Sequence, residues 1–428
     1  MEIPELKFQH ERKKTLRQHI ALLLVLALVG RVGRAQQGQT KVPSKAASNQ
    51  SAKQLPAKAE TSAYDYAVVL DSSQPVAGKQ VQDIEAVAIG DNGDVAVLAA
   101  WKNGEGIWNK GAWVALTGQT ISSIKTGSRP VTKLGYPSVG PNGSLRYRIG
   151  YDRGWSGYAV NGTVVWETDQ LAQTDGIFLS DTQVLSHGLV NGLPPAWVGR
   201  GRVVETDGKR STFNIPSDSI HTNNHGDVAY VNQFDRVSAN TTQGGGWGVF
   251  INDIFAFEAQ GLADGPYIND QRDVAYVLRR GFSATNRGVM MNGQQLLEYG
   301  AGTSYKLLGF NNSKTPLFLL SWPLPPPGPD PHLPRLMVGK SIIATYEATL
   351  STWNNGKRSE RFVPGTPSLP SIGSFVTLPD VHALGSTPFW RLAALNNRGQ
   401  VVIAGRFSAH PNDWAVVVVS PKGTNAKQ

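Results

Sequence analysis

Few stretches of this chain bring residue types that could do chemistry together at a usable spacing. His221 and His225 stand four apart in HTNNH, a spacing that aims two imidazoles at one metal only on a helix. Here the segment reads as a turn between apolar runs, so a zinc site is not expected. Asp91, Asp94, Asp227 and Asp273 lie in turns rich in Asn and Gly. A calcium loop packs several oxygen donors into a dozen residues around one glycine; these turns hold one or two carboxylates each. Their Asn and Gly residues read instead as suppliers of the positive φ that tight hairpins need. Cysteine is absent from all 428 residues, which excludes disulfides, thiolate metal sites, a cysteine nucleophile and a lipidated N-terminal cysteine. No G-x-S-x-G elbow, P-loop or dinucleotide fingerprint occurs. No metal and no cofactor is therefore expected, and no catalytic residue can be named. Carboxylates for glycoside chemistry need no sequence spacing when separate repeats supply them, so an enzyme stays as the alternative.

The elements that would position such residues repeat. Val87–Trp101, VAIGDNGDVAVLAAW, reads as strand, tight turn, strand. Versions recur from Tyr136, Ile220, Tyr267 and Leu392, with weaker copies from Ile177 and Leu307. Second hairpins follow, among them GYAVNGTVVWE from Gly157 and GVMMNGQQLLE from Gly288. A strand-only period of about 40 to 50 residues marks propeller blades. The expected fold is all-β: a β-propeller of seven four-stranded blades, with six or eight left open, spanning 64–421. Residues 347–390 break the period and read as an irregular insertion, and 422–428 as a tail. Tyr66–Leu70, YAVVL, stands alone before the first repeat and is expected to close the ring on the last blade, which removes an open sheet edge.

The core of the repeat, apolar–x–Asn–x–x–Gly–x–Val, resembles the degenerate HAF-type repeats of bacterial extracellular propeller-like proteins. Ala393–Gly405, AALNNRGQVVIAG, carries the nearest version; the other copies lack the second Gly and the His-Ala-Phe. The resemblance implies a fold and an exported location and brings no catalytic residues.

Of the formal charge of +9, residues 1–35 contribute +4 and residues 36–63 a further +3, leaving the body nearly neutral. A nucleic-acid groove would place its charge on the folded domain, so no nucleic-acid partner is expected. Residues 1–35 read as a signal peptide: a basic start, the apolar run Ile20–Gly30, and a small-residue site at Gly33–Ala35. The run is too short to span a bilayer. The expectation is a secreted or periplasmic protein with no transmembrane span after cleavage, an uncleaved anchor being the alternative. Residues 36–63 have almost no large apolar side chain and read as a disordered linker.

Trp113, Trp197, Trp247 and Trp414 recur at the start of the second hairpins and are expected in the packing between blades. The loops between first and second hairpins are long and should share one face with the blade-to-blade connections. They place Trp101, Trp108, Arg153, Trp155, Arg279, Arg280, Trp322 and His410 together as a candidate binding face, since aromatics and arginines on loops of a rigid scaffold suit recognition. The functional expectation is a monomeric, non-enzymatic binding or scaffold module for a protein, peptide or glycan. Its rival is a carbohydrate-active enzyme, a glycoside hydrolase or lyase, with acidic residues in the central funnel. A funnel lined by small apolar residues, as AVAIG and RLAAL suggest, would favour the scaffold.

Overall fold

The computed structural model describes residues 63–423 apart from 125–126, 152–155, 169–176, 187–188, 191–202, 207–208, 213–219, 239–240, 260–261, 280–285, 299–302, 322–333, 347, 355–356 and 378–391. The leader, the linker and the tail lie outside these residues. Strands account for all the regular structure described, and no helix occurs among the described residues.

The strands form six blades of four or more strands. Blade I spans 83–116, blade II 133–168, blade III 203–258, blade IV 262–297 and blade V 304–345; blade VI combines 368–421 with the N-terminal strand. Between blades II and III the described residues make a three-stranded sheet, Ile177–Phe178, Val184–Ser186 and Leu189–Val190. The seventh full blade expected from IFLSDTQVLSHG is thus a short sheet, because its strands are two or three residues long. In blades I, IV and V the strands run antiparallel in chain order, as in Asp83–Ile89, Val95–Trp101, Gly104–Asn109 and Ala112–Leu116; in blade III, Val203–Thr206 pairs parallel with Val228–Ser238.

The core lies between blade faces. Leu98 and Ile107 of blade I pack with Tyr147 and Ile149 of blade II. Ala229 and Val249 of blade III meet Val274 and Tyr276 of blade IV, and Val277 and Val289 meet Leu307 and Phe318 of blade V. Leu317 and Leu336 meet Ile403 and Val417 of blade VI, whose other face returns Val402 and Val416 to Val87 and Val97 of blade I. Strands with apolar residues on both faces are what such stacking requires. Val95–Ala99 reads VAVLA and is buried throughout.

The ring is closed as the sequence implied. Tyr64–Asp71 pairs antiparallel with His410–Pro421, from Tyr64 opposite Pro421 to Asp71 opposite Ala415, with a bulge between Val68 and Leu70. It is the outermost strand of blade VI, since His410–Pro421 pairs on its other side with Val401–Phe407. The last repeat therefore supplies one strand of its second hairpin and the N-terminus supplies the other. Leu70 is buried beside blade I, and the Tyr66 hydroxyl donates to the Ile343 carbonyl of blade V at 2.8 Å. The irregular insertion begins with a two-stranded ribbon, Ala348–Asn354 against Lys357–Val363. Gly373–Thr377 then pairs with the far end of Val401–Phe407.

Candidate functional site

The first-hairpin turns converge on the axis. Asn223, Asn269, Asn311 and Asn396 open four of them, and each side-chain oxygen accepts two backbone N–H groups of its own turn; Asn396 takes those of Arg398 and Gln400 at 3.1 and 2.9 Å. Three of these carboxamides also donate to a carbonyl of the next blade: Asn223 to Asn269, Asn269 to Asn311 and Asn396 to Gly90. The expectation that these Asn residues supply positive φ is corrected. Left-handed backbone falls later in the turn, at Gly93, Gly226, Arg272, Lys314 and Gly399, and the Asn is a latch. In the second hairpins the Asn reading holds, with Asn161, Asn252 and Asn292 all at φ 49°.

The next residue of each turn forms a hub. The Asn224 N–H donates to Asp270, the Asp270 N–H to Asn312, the Asn312 N–H to Asn397 and the Asn397 N–H to Asp91, all at 2.8–2.9 Å. Across the middle, the Asn224 amide reaches Asp91 Oδ2 at 3.0 Å and Asp270 Oδ2 at 3.2 Å. Asn397 reaches the same two oxygens at 2.9 and 3.3 Å. This end of the axis is therefore crossed by polar side chains that answer one another. The small apolar lining read from AVAIG does not close it.

The other turn carboxylates brace neighbouring blades. Asp227 accepts from Asn252 at 2.7 Å and takes a two-pronged contact from Arg272 at 2.8 and 3.0 Å. Asp273 accepts from Asn292 at 2.7 Å and pairs with Lys314 at 3.2 Å. Although burial works against the charged form, these hydrogen bonds and cations hold both carboxyls below the usual aspartate range. Arg272 and Lys314 accept a left-handed backbone in exchange for that reach. At the small sheet, Asp181 performs the same service for Ser144 and Arg146 at 2.6 and 2.7 Å.

A second polar group sits on the innermost strands: His221 and Tyr267 each stand two residues before a latch asparagine, and Asp264 and Lys306 lie toward the other ends of their strands. His221 in Ile220–Thr222 of blade III stacks on Tyr267 of blade IV, ring centroids 4.0 Å apart. Lys306 of blade V pairs with Asp264 of blade IV at 2.9 Å, and Asp264 also accepts the Leu307 N–H at 2.6 Å. His221 lies deep in the protein, and burial with Lys306 nearby lowers its pKa to about 4, so the imidazole is neutral at pH 7. Burial and the Asp264 charge push the Tyr267 phenol well above its ordinary value. His225, four residues on, sits exposed at the turn, so the two histidines do not converge.

The residues expected to form a binding face are placed as follows. Trp101 ends its strand on the side away from the hub, half-buried, edge-on to Trp113 at 5.1 Å with the Lys79 ammonium 5.4 Å from its ring. Gly104 and Gly106 leave the room that its indole fills. Trp108 is not on a loop: it lies within Gly104–Asn109, 8% exposed, packed against blade VI. The loop after Trp101 is only two residues long, so the reading WKNGEGIWNKG counted strand as loop. His410 begins the last strand and is exposed, at the same end as Trp101. Arg279 ends the strand Val274–Arg279 at that end too. Arg153, Trp155, Arg280 and Trp322 lie outside the described residues. Of the packing tryptophans, Trp414 is buried and Trp113 half-buried, its Nε1 donating to the Val76 carbonyl. Trp247 is 46% exposed, a correction: it falls one residue beyond Gly248, where pairing with the outer strand ends. Trp197 is outside the described residues.

No protein-family model matches the sequence, HAF-type repeats included, and no curated protein matches it. Among solved structures the chain is similar to the β-propeller domain of the Trilobed protease from Pyrococcus furiosus. That likeness has 10% identity, covers 65% of this chain and 83% of that one, and has a TM-score of 0.35. It is also similar to BamB from Moraxella catarrhalis, at 11% identity over 79% and 84% of the two chains with a TM-score of 0.27. The likeness is one of fold. A third similarity is to a streptogramin B lyase, at 15% identity over 60% of this chain and 94% of that one with a TM-score of 0.23.

Proposed function

We propose that this protein is an exported, non-enzymatic binding or scaffold module that recognises a protein, peptide or glycan through the end of the ring opposite the hub. One observation carries the reading. The tight-turn end is crossed by Asp91, Asn224, Asp270, Asn312 and Asn397, which spend their polar atoms on each other and on neighbouring amides. Groups so engaged serve the ring. The opposite end carries Trp101, Arg279 and His410 at strand ends, and the sequence adds Arg153, Trp155, Arg280 and Trp322 to the loops there. The carboxylates that meet on the axis, Asp91 and Asp270, share carboxamide donors in the hub, which speaks against their use as an acid and nucleophile pair. The apolar run Ile20–Gly30 after a basic start supports export; no helix among the described residues is long and apolar enough to cross a membrane.

The test is capture of a partner from the source organism's envelope extract. Trp155→Ala and Arg279→Ala should each weaken capture at least tenfold while leaving the melting temperature unchanged, as hot-spot truncations of about 2 kcal/mol do. Asn161→Ala, on the hub side, should leave capture intact. Normal capture by both loop variants, or loss in Asn161→Ala alone, would place recognition elsewhere.

A further inference from the structure

We propose that the inner strands of blades III, IV and V form a binding site for a small carboxylate-bearing ligand, with Lys306, Tyr267 and His221 as its donors. The proposal deepens the reading of the end away from the hub as the recognition end and rests on it for the direction of approach.

Three observations lead to this class of ligand. First, His221 and Tyr267 are set deep beside the axis, yet both rings keep an accessible part and neither makes a hydrogen bond among the described residues. Polar groups at such depth are ordinarily answered within the fold, and the hub in the turns that follow these strands shows how completely this protein can do so. Second, donors outnumber acceptors. The neutral imidazole brings one N–H, the phenol one O–H, and the Lys306 ammonium has three, of which one goes to Asp264 at 2.9 Å. Asp264 is occupied on both oxygens, by Lys306 and by the Leu307 N–H. The open hydrogen-bonding capacity therefore asks for an acceptor-rich group. Third, the charge available is small. The ammonium is already balanced by one carboxylate, so a monoanion leaves one uncompensated charge in a place partly removed from water, and a phosphate dianion leaves two. The stacked His221–Tyr267 pair gives the ligand an apolar wall beside the donors.

The carboxylate could come from a uronic acid or from a peptide C-terminus, and the experiment separates them. The full chain, labelled at histidine Cε1 with carbon-13, is titrated with galacturonate, galactose, N-acetylalanine, N-acetylalanine amide and inorganic phosphate. His221→Gln identifies the His221 resonance by its loss. At least one carboxylate should shift that resonance with a dissociation constant of about 1 mM or tighter. Galactose and the amide should not, and the stronger of the two carboxylates names the source. Lys306→Gln should weaken binding at least tenfold and Lys306→Arg should restore most of it. Tyr267→Phe keeps the ring and removes only the hydroxyl, so its weaker binding at an unchanged melting temperature separates recognition from folding. No shift with either carboxylate, equal shifts with the neutral compounds, tighter binding of phosphate, or full binding by Lys306→Gln would each overturn the proposal. Because the ligands are added directly, failure here leaves the envelope-capture result standing, and failed capture leaves this titration informative.

Discussion

At the tight-turn end of the axis, Asn223, Asn269, Asn311 and Asn396 latch one blade to the next, and Asp91, Asn224, Asp270, Asn312 and Asn397 meet across the middle. On the strands leading into those turns, His221 and Tyr267 lie ring against ring with no hydrogen bond among the described residues, and Lys306 uses one of its three donors there. Strands of one repeat thus carry two kinds of polar residue. Those in the turns are consumed by the ring, and those on the strands behind them are left with capacity. A satisfied network contributes to stability and a partly unsatisfied one costs stability unless a ligand answers it. The difference separates what holds this protein together from what it can offer a partner.

That contrast predicts a graded set of effects. The largest should come from the strand that closes the ring. Deleting residues 36–72 removes the pairing with His410–Pro421, the buried Leu70 and the Tyr66 bond to blade V. Burial of one leucine alone is worth about 2 kcal/mol, and the open sheet edge adds to the loss. Thermal unfolding should shift down by about 10 °C or more, whereas deletion of 36–60 should leave it unchanged. Equal shifts from the two deletions would remove the closing strand from the account.

Next comes a latch residue. Asn396 is 3% exposed, and Asn396→Ala would strip partners from the N–H groups of Arg398 and Gln400 and leave the Gly90 carbonyl with the Gly93 N–H alone. A loss of about 2 kcal/mol is expected, because two turn N–H groups lose their acceptor and the tie to the next blade is cut. Asn224→Ala, at an exposed hub position, should cost about 1 kcal/mol, and a chemical-denaturation series reads both. Matching losses would erase the distinction between latch and hub.

The axis and blade packing were legible in the sequence to different degrees. Repeated hairpins such as VAIGDNGDVAVLAAW announce period-2 strands and tight turns, so the fold class and the closing strand could be read from pattern alone. The latch was hidden because Asn in a turn has two physical uses, left-handed backbone and side-chain hydrogen bonding, and composition does not separate them. Arg272 and Lys314 at positive φ, where other copies have Gly, were the available signal. Trp108 was misplaced because the glycines of WKNGEGIWNKG read as loop, whereas Gly104 and Gly106 serve a strand and clear space for Trp101. Asp264, Tyr267 and Lys306 were missed for another reason: the first two come from blade IV and Lys306 from blade V, about forty residues on, with no local motif. The short third sheet follows from strands too brief to build a full blade.

A smaller effect tests the strands behind the turns. His221 is held at about 4 in the folded chain against about 6.5 when unfolded. The unfolded state then binds the extra proton, so stability is full above pH 6.5 and falls as the pH drops toward 4. Part of the ring is accessible, which reduces the cost of charging it, and the loss should be on the order of 2 kcal/mol. His221→Gln should flatten that segment of the stability profile. Asp227 and Asp273, with lowered pKa values, add a separate decline that begins below about pH 4. An unchanged profile in His221→Gln would mean that the imidazole is solvated as in water.

The central claim, that the ring is tied shut at one end by bonds running from blade to blade, is tested most directly by amide hydrogen exchange on the full chain at neutral pH. The N–H groups of Asn224, Asp270, Asn312 and Asn397 sit in surface turns, yet each donates to a side chain of the neighbouring repeat. They should exchange at least a hundredfold more slowly than those of Gly78 and Gly111 at exposed turn tips. If the hub amides exchange as fast as these tips, the axis is open at this end and the contrast between the turns and the strands behind them is wrong.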